Sequence, residues 1–238
     1  MKKILIICII VLSIFMIYLT TIDKKVYYLA LGDEIALGIT KEGYYKESYN
    51  EIIRKYFEEK KILEEYIDSY IVQGQRITDV VNDIKNNKKI NIGKKNITIK
   101  NAIIKADLIT LSIGTNDIIS KIDRENKLTK IDYNKLYKNV DEIVNDLEIL
   151  LKKLKEYCKE DIILVGLFIK TNDEKINEII KYANTKFKEK CEIYKINYIN
   201  LYDLLENNKE ISIYPNEEEY KIISKNIIEV IDSNLLND

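Results

Sequence analysis

Residues 107–118 read DLITLSIGTNDI. Asp107–Ile113 is an almost continuous apolar run, the pattern of a strand buried on both faces of a parallel sheet. The run stops at Gly114, and Thr115, Asn116 and Asp117 follow at once. Ligands of parallel α/β sheets lie beyond the carboxyl ends of the strands, so this polar cluster stands where a site would be. Upstream, residues 26–39 read VYYLALGDEIALGI. Val26–Leu31 is strand-like, and it too ends in a polar turn, Gly32-Asp33-Glu34, with Gly38 four residues later. A strand that stops at Gly-Asp and passes into a helix presents a reactive side chain at the turn. Here that side chain is Glu34.

Strand and helix patterns alternate along the rest of the chain. The spacing predicts helices over Glu47–Tyr66, Arg76–Asn86, Tyr133–Tyr157, Glu174–Lys190 and Asn216–Leu235. Strands are expected at Ile67–Val72, Asp161–Phe168 and Ile196–Leu201, and Ile90–Ile99 reads as a hairpin around Gly93-Lys94-Lys95. The fold class is therefore α/β, a five-stranded parallel sheet flanked by helices. No internal repeat, linker or low-complexity tract interrupts it.

Composition narrows the chemistry. The chain of 238 residues is 46% hydrophobic and 32% charged, a globular balance. A formal net charge of −1 gives no electrostatic case for nucleic acid. There is no histidine, so Ser-His, Cys-His and His-metal chemistry are closed to residues of this chain. Of the three cysteines, Cys8 lies in an N-terminal apolar run, while Cys158 and Cys191 fall near predicted helix ends and read as semi-buried thiols that could also pair. No metal-binding spacing occurs, and no metal or cofactor is expected.

The N-terminus reads MKKILIICIIVLSIFMIYLTTIDKK. Lys2 and Lys3 precede an apolar run, Ile4–Leu19, close to the length that a bilayer-crossing helix needs. A cleaved signal peptide is the competing reading, but no small-x-small cleavage site follows. Residues 1–25 are accordingly expected to be an uncleaved signal anchor, with residues 26–238 a domain outside the cell membrane. The basic run Lys85–Lys95 either touches anionic lipid or wall polymer, or is a solvated loop. Tyr44, Tyr45 and Tyr49 either pack at the rim of the core or line a groove for carbohydrate or lipid.

Taken together, the strand ends resemble the SGNH hydrolases, also called the GDSL esterase and lipase family. LALGDEIALG corresponds to the family's Gly-Asp-Ser-Leu block, with Glu34 in the serine position. VQGQRITDVV corresponds to the block whose glycine N–H serves the oxyanion hole, here Gly74. LSIGTNDI corresponds to Gly-x-Asn-Asp, with Gly114, Asn116 and Asp117. ISIYPNEEEY corresponds to Asp-x-x-His-Pro, with Ile211 and Tyr214 in the positions of the acid and base and Pro215, Asn216 and Tyr220 in the flanking positions. The resemblance runs from about Val26 to the C-terminus. It implies a flavodoxin-like sheet, an oxyanion hole at Gly74 and Asn116, and a pocket that also contains Asp33, Glu34, Gly114, Asp117 and Tyr214.

A Ser-His-Asp triad needs a serine to attack and a histidine to carry its proton. The resemblance implies that all three of its members are replaced. Three readings follow: a binding module without hydrolysis, carboxylate chemistry at Glu34, or a hydrolase completed by a partner's histidine. On the first, Glu34 fills the oxyanion hole, helped by the amino end of the helix expected to follow it. Asp33 and Asp117 either bond loop backbone or help at the site. The ligand expected from the resemblance is a lipid or a glycan.

Overall fold

The computed structural model describes residues 25–92, 95–126, 131–207 and 210–234. Its main sheet has five parallel strands: β1 (Val26–Gly32), β2 (Leu63–Ile71), β5 (Leu108–Ser112), β6 (Asp161–Val165) and β7 (Asn197–Ile199). They lie in the order β2-β1-β5-β6-β7. Two further strands, β3 (Lys89–Ile92) and β4 (Lys95–Thr98), pair antiparallel as a separate hairpin. The helices are α1 (Tyr49–Glu59), α2 (Ile77–Lys85), α3 (Ile99–Lys105), α4 (Thr115–Asn126), α5 (Tyr133–Tyr157), α6 (Glu174–Ile193), α7 (Leu201–Leu204) and α8 (Glu217–Asn234).

Strand alternation divides the interior between two faces. Tyr27, Leu29 and Leu31 of β1 join a core with α2, α3, α5 and α6. Tyr28 and Ala30 face the other way, against Tyr49, Ile53 and Phe57 of α1 and Tyr220, Ile223, Ile227 and Ile231 of α8. Three of the helices begin at a residue whose side chain satisfies free N–H groups of the first turn. Ser48 and Glu51 form a reciprocal capping box at α1. Asp132 caps α5, and Asp173 accepts from Lys175 and Ile176 N–H at α6.

The chain passes from β1 to β2 on one side and then crosses to β5 on the other, with both strands paired to β1. This reversal opens a crevice at the carboxyl ends of β1 and β5. The approach of the two strands is set by Gly32. Its φ of +135 is a glycine conformation, and a Cβ added there would lie 2.2 Å from the Ser112 carbonyl oxygen.

Two expectations change. The helix expected to run to Tyr66 ends at Glu59, and β2 begins at Leu63. No helix follows β1 at once. Residues 33–38 form turns, with Leu37 N–H donating to the Asp33 carbonyl and Ile39 N–H to that of Glu34, and α1 starts only at Tyr49. The amino end of a helix therefore plays no part in holding Glu34. Cys158 and Cys191 are both buried and free. The expected anchor, residues 1–25, falls almost wholly outside the described residues, among which no helix is long and apolar enough to cross a membrane.

Candidate functional site

Three loops at adjacent strand ends converge on Glu34. Its side chain is 5% exposed. One carboxylate oxygen accepts the Gly74 N–H at 2.9 Å, and the other accepts the Asn116 side-chain amide at 2.7 Å. Glu34 leaves β1, Gly74 leaves β2, and Asn116 stands in the first turn of α4 after β5. The same Asn116 amide donates to the Gln75 carbonyl at 3.1 Å, which ties the loop after β2 to α4. Gly74 holds φ at +76, the left-handed conformation that turns its N–H toward the carboxylate.

These bonds join groups that each need a partner. The carboxylate is buried, whereas Asn116 is half-buried and also bonds the Gln75 carbonyl, and Gly74 is exposed. Glu34→Ala is expected to destabilise the protein by ~1–3 kcal/mol, through loss of the hydrogen bonds from Gly74 and Asn116 to the carboxylate. Melting of the full chain in mild detergent checks this, and an unchanged Tm would mean that the donors find other partners.

Asp33 is turned inward beneath Glu34 and is fully buried. One of its oxygens accepts the Ser112 hydroxyl at 2.9 Å and the Ile35 N–H at 3.2 Å. The other has no hydrogen-bond partner. Burial, with Glu34 beside it, raises the Asp33 carboxyl to about 7 against the bonds from Ser112 and Ile35. Asp117 accepts the Ile77 N–H at 3.2 Å at the start of α2, and burial raises its pKa as well. Both aspartates thus bond loop or helix-start backbone. No group of metal-binding side chains gathers among the described residues.

Tyr214 is half-buried, and its hydroxyl is pushed up to about 12 by burial and by the proximity of Glu34 and Asp33. The structure therefore brings Tyr214 to the same site as Glu34, Gly74 and Asn116. Ile211 goes elsewhere. It is 58% exposed and lines a cavity of about 380 Å³ with Lys170, Lys181 and Tyr202. Gly114 holds φ at +106 against the Phe187 ring and shapes the turn without touching Glu34's partners.

Two participants escaped the sequence reading. Ser112, within the apolar run of β5, holds Asp33, and Gln75 contributes a carbonyl to Asn116. The signal for Ser112 was its i+2 spacing from Thr110, which puts both hydroxyls on one face of β5. Thr110 joins Tyr28 and Asn50 in a buried network, and the Asn50 amide donates on to the Ala36 carbonyl at 3.0 Å.

A family model for GDSL-like lipase/acylhydrolase matches residues 28–227. No curated protein sequence matches the chain. Among solved structures, the lipase Lip_vut3 from a goat rumen metagenome is similar at 18% identity and TM-score 0.66, over 85% of this chain and 95% of that one. A catalytic mutant of Axe2, an acetylxylan esterase from Geobacillus stearothermophilus, is similar at 14% identity and TM-score 0.63, over 88% and 95%. Phospholipase A1 from Streptomyces albidoflavus NA297 is similar at 12% identity and TM-score 0.55, over 84% and 98%. At these identities the likeness is one of fold.

Proposed function

Because this chain belongs to the GDSL-like lipase/acylhydrolase family, we propose that it keeps the scaffold of an ester hydrolase as a membrane-anchored, extracytoplasmic binding module without ester hydrolysis. The observation that carries this reading is the Glu34 carboxylate on the Gly74 and Asn116 donors. In an acyl transferase or hydrolase of this design, such donors stabilise the oxyanion of the transition state. Here a side chain of the protein takes that place. Tyr214 and Ile211 stand where the resemblance puts the base and the acid, and the chain has no histidine to move a proton.

The anchorage rests on sequence: Lys2 and Lys3 before the apolar run Ile4–Leu19, with no cleavage pattern after it. The module stays with the membrane, its domain outward. A lipid or glycan is the ligand class, with no role for nucleic acid.

The second reading, carboxylate chemistry, has one observation in its favour. A carboxyl group with a pKa of about 7, Asp33, adjoins Glu34. Its complete burial removes it from the reach of a substrate.

Assay of the full chain against short-chain acyl esters tests the proposal. No turnover is expected, and none from Glu34→Ser, because no general base accompanies the new hydroxyl. Turnover by the unaltered chain that disappears in Glu34→Ala would establish the carboxylate mechanism instead.

A further inference from the structure

Asp33 and Glu34 are consecutive carboxyl residues after β1, and the fold treats them differently. The partners of Glu34 are open to water: Gly74 is exposed and Asn116 half-buried. Asp33 is sealed in. One of its oxygens takes the Ser112 hydroxyl and the Ile35 N–H, and the other has no hydrogen bond.

The groups in electrostatic reach of Asp33 come from each element packed around it. Glu34 follows it in the chain, α1 supplies Tyr49, α8 supplies Tyr220, and the loop before α8 supplies Tyr214. From β5 comes the Ser112 hydroxyl. None of these groups is a cation. Burial first, and neighbouring carboxylates after it, raise all three phenols, so they stay neutral while carboxyl groups titrate. The Tyr220 hydroxyl is engaged elsewhere, donating to the Ile39 carbonyl at 2.7 Å.

A buried carboxylate with no cation beside it is relieved by keeping its proton or by moving a like charge away. Burial keeps the proton on Asp33 up to about pH 7. Above that, two adjacent negative charges would share one interior. Asp33 cannot leave, because its own N–H donates to the Ser112 carbonyl at 3.0 Å and its carboxyl is covered on all sides. Glu34 can. Its side chain is longer, and water can take over the Gly74 and Asn116 donors at little net cost.

We propose that the proton on Asp33 governs the hole: while Asp33 is protonated Glu34 occupies the Gly74 and Asn116 donors, and when Asp33 ionises Glu34 turns out to solvent and frees them. This rests on the reading of Glu34 as an internal occupant given above, and adds the condition that ends the occupancy. The coupling is reciprocal, since departure of Glu34 removes a negative charge from beside Asp33 and eases its ionisation. The freed donors are then open to an oxygen anion of a ligand.

Glycine-selective 15N labelling of the full chain in detergent limits the spectrum to its seven glycines. The signal missing from Gly74→Ala is that of Gly74. It is followed from about pH 5 to about pH 8.5. Glu34→Ala, measured at each pH, marks where this signal lies without the carboxylate. The parent signal is expected to stand apart from that reference in acid and to move onto it with a midpoint of about pH 7. In Asp33→Asn it is expected to stand apart throughout. Asp33→Ser and Glu34→Ser replace these variants if either does not fold.

A parent signal that stays fixed, that stops short of the reference, or that moves equally in Asp33→Asn overturns the proposal. The outcome is separable from that of the ester assay. Turnover by the unaltered chain would overturn the function proposed above, whereas a fixed Gly74 signal in a chain without turnover counts against the Asp33 switch alone.

Discussion

Between about pH 4 and about pH 7, Asp33 is expected to make the protein lose roughly 4 kcal/mol of stability. The carboxyl is raised from its ordinary 3.8 to about 7 by burial. Below the ordinary value it is protonated in both the folded and the unfolded chain, and its contribution is fully present. As pH rises between the two values, the unfolded chain gives up the proton while the folded chain retains it. The unfolded state then binds fewer protons, so stability falls as pH rises, until the folded carboxyl also ionises near pH 7. A shift of about 3 units at ~1.4 kcal/mol per unit gives the magnitude.

Asp33→Asn isolates this effect from those of other carboxyls. The asparagine oxygen can still accept the Ser112 hydroxyl and the Ile35 N–H that Asp33 accepts. Its amide would take the place of the oxygen that now lacks a partner. Melts of both proteins from about pH 4 to about pH 8 are compared. The variant is expected to lose the pH slope attributable to Asp33 and to exceed the parent in stability above pH 7. Parallel curves across the range would show that Asp33 titrates alike in the folded and unfolded chains.

Gly32→Ala is expected to be still more severe, with a loss above ~4 kcal/mol or failure to fold. An alanine Cβ would stand 2.2 Å from the Ser112 carbonyl and 3.0 Å from the Ser112 N and Oγ atoms, in a backbone conformation with φ at +135. The Ser112 hydroxyl can rotate away, but its carbonyl and N atoms cannot, because they are backbone of the adjacent strand. Relief requires β1 and β5 to part at the end that carries Glu34 and Asn116. Gly74→Ala makes the comparison, since a Cβ there meets nothing within 4 Å and only its φ of +76 opposes the change. Circular dichroism and melting of the two variants should rank Gly32→Ala far below Gly74→Ala. Similar Tm values would mean that the β1–β5 approach is not fixed by close contact.

Much of this architecture could be read from local pattern. The helix Tyr133–Tyr157 was legible to its ends, because Asp132 caps it and Leu136, Val140, Ile143, Leu147, Leu150 and Leu154 keep one buried stripe. The stop after α1 was not. Lys61 takes the left-handed position, φ 60, that glycine usually fills after a helix, and apolar spacing continues through it into β2. Helices α3 and α4 were also missed. At the site, Glu34, Gly74 and Asn116 were legible because each sits at the end of a strand, and strand order brings those ends together. The bond from Ser112 to Asp33 and the pairing of Lys46 with Glu217 were not legible. They depend on how loops pack, and no periodicity records that.

The grip of Gly74 and Asn116 on Glu34 has a consequence for competition. A side chain tethered within reach of its own binding partners acts as a competitor at an effective concentration of at least about millimolar. Any free anion seeking the same two donors must outbid a rival that never diffuses away. Dilute acetate, phosphate or fatty-acid carboxylates that bind the donors only weakly would therefore leave the hole untouched. Small acids would thus meet two donors already occupied from within.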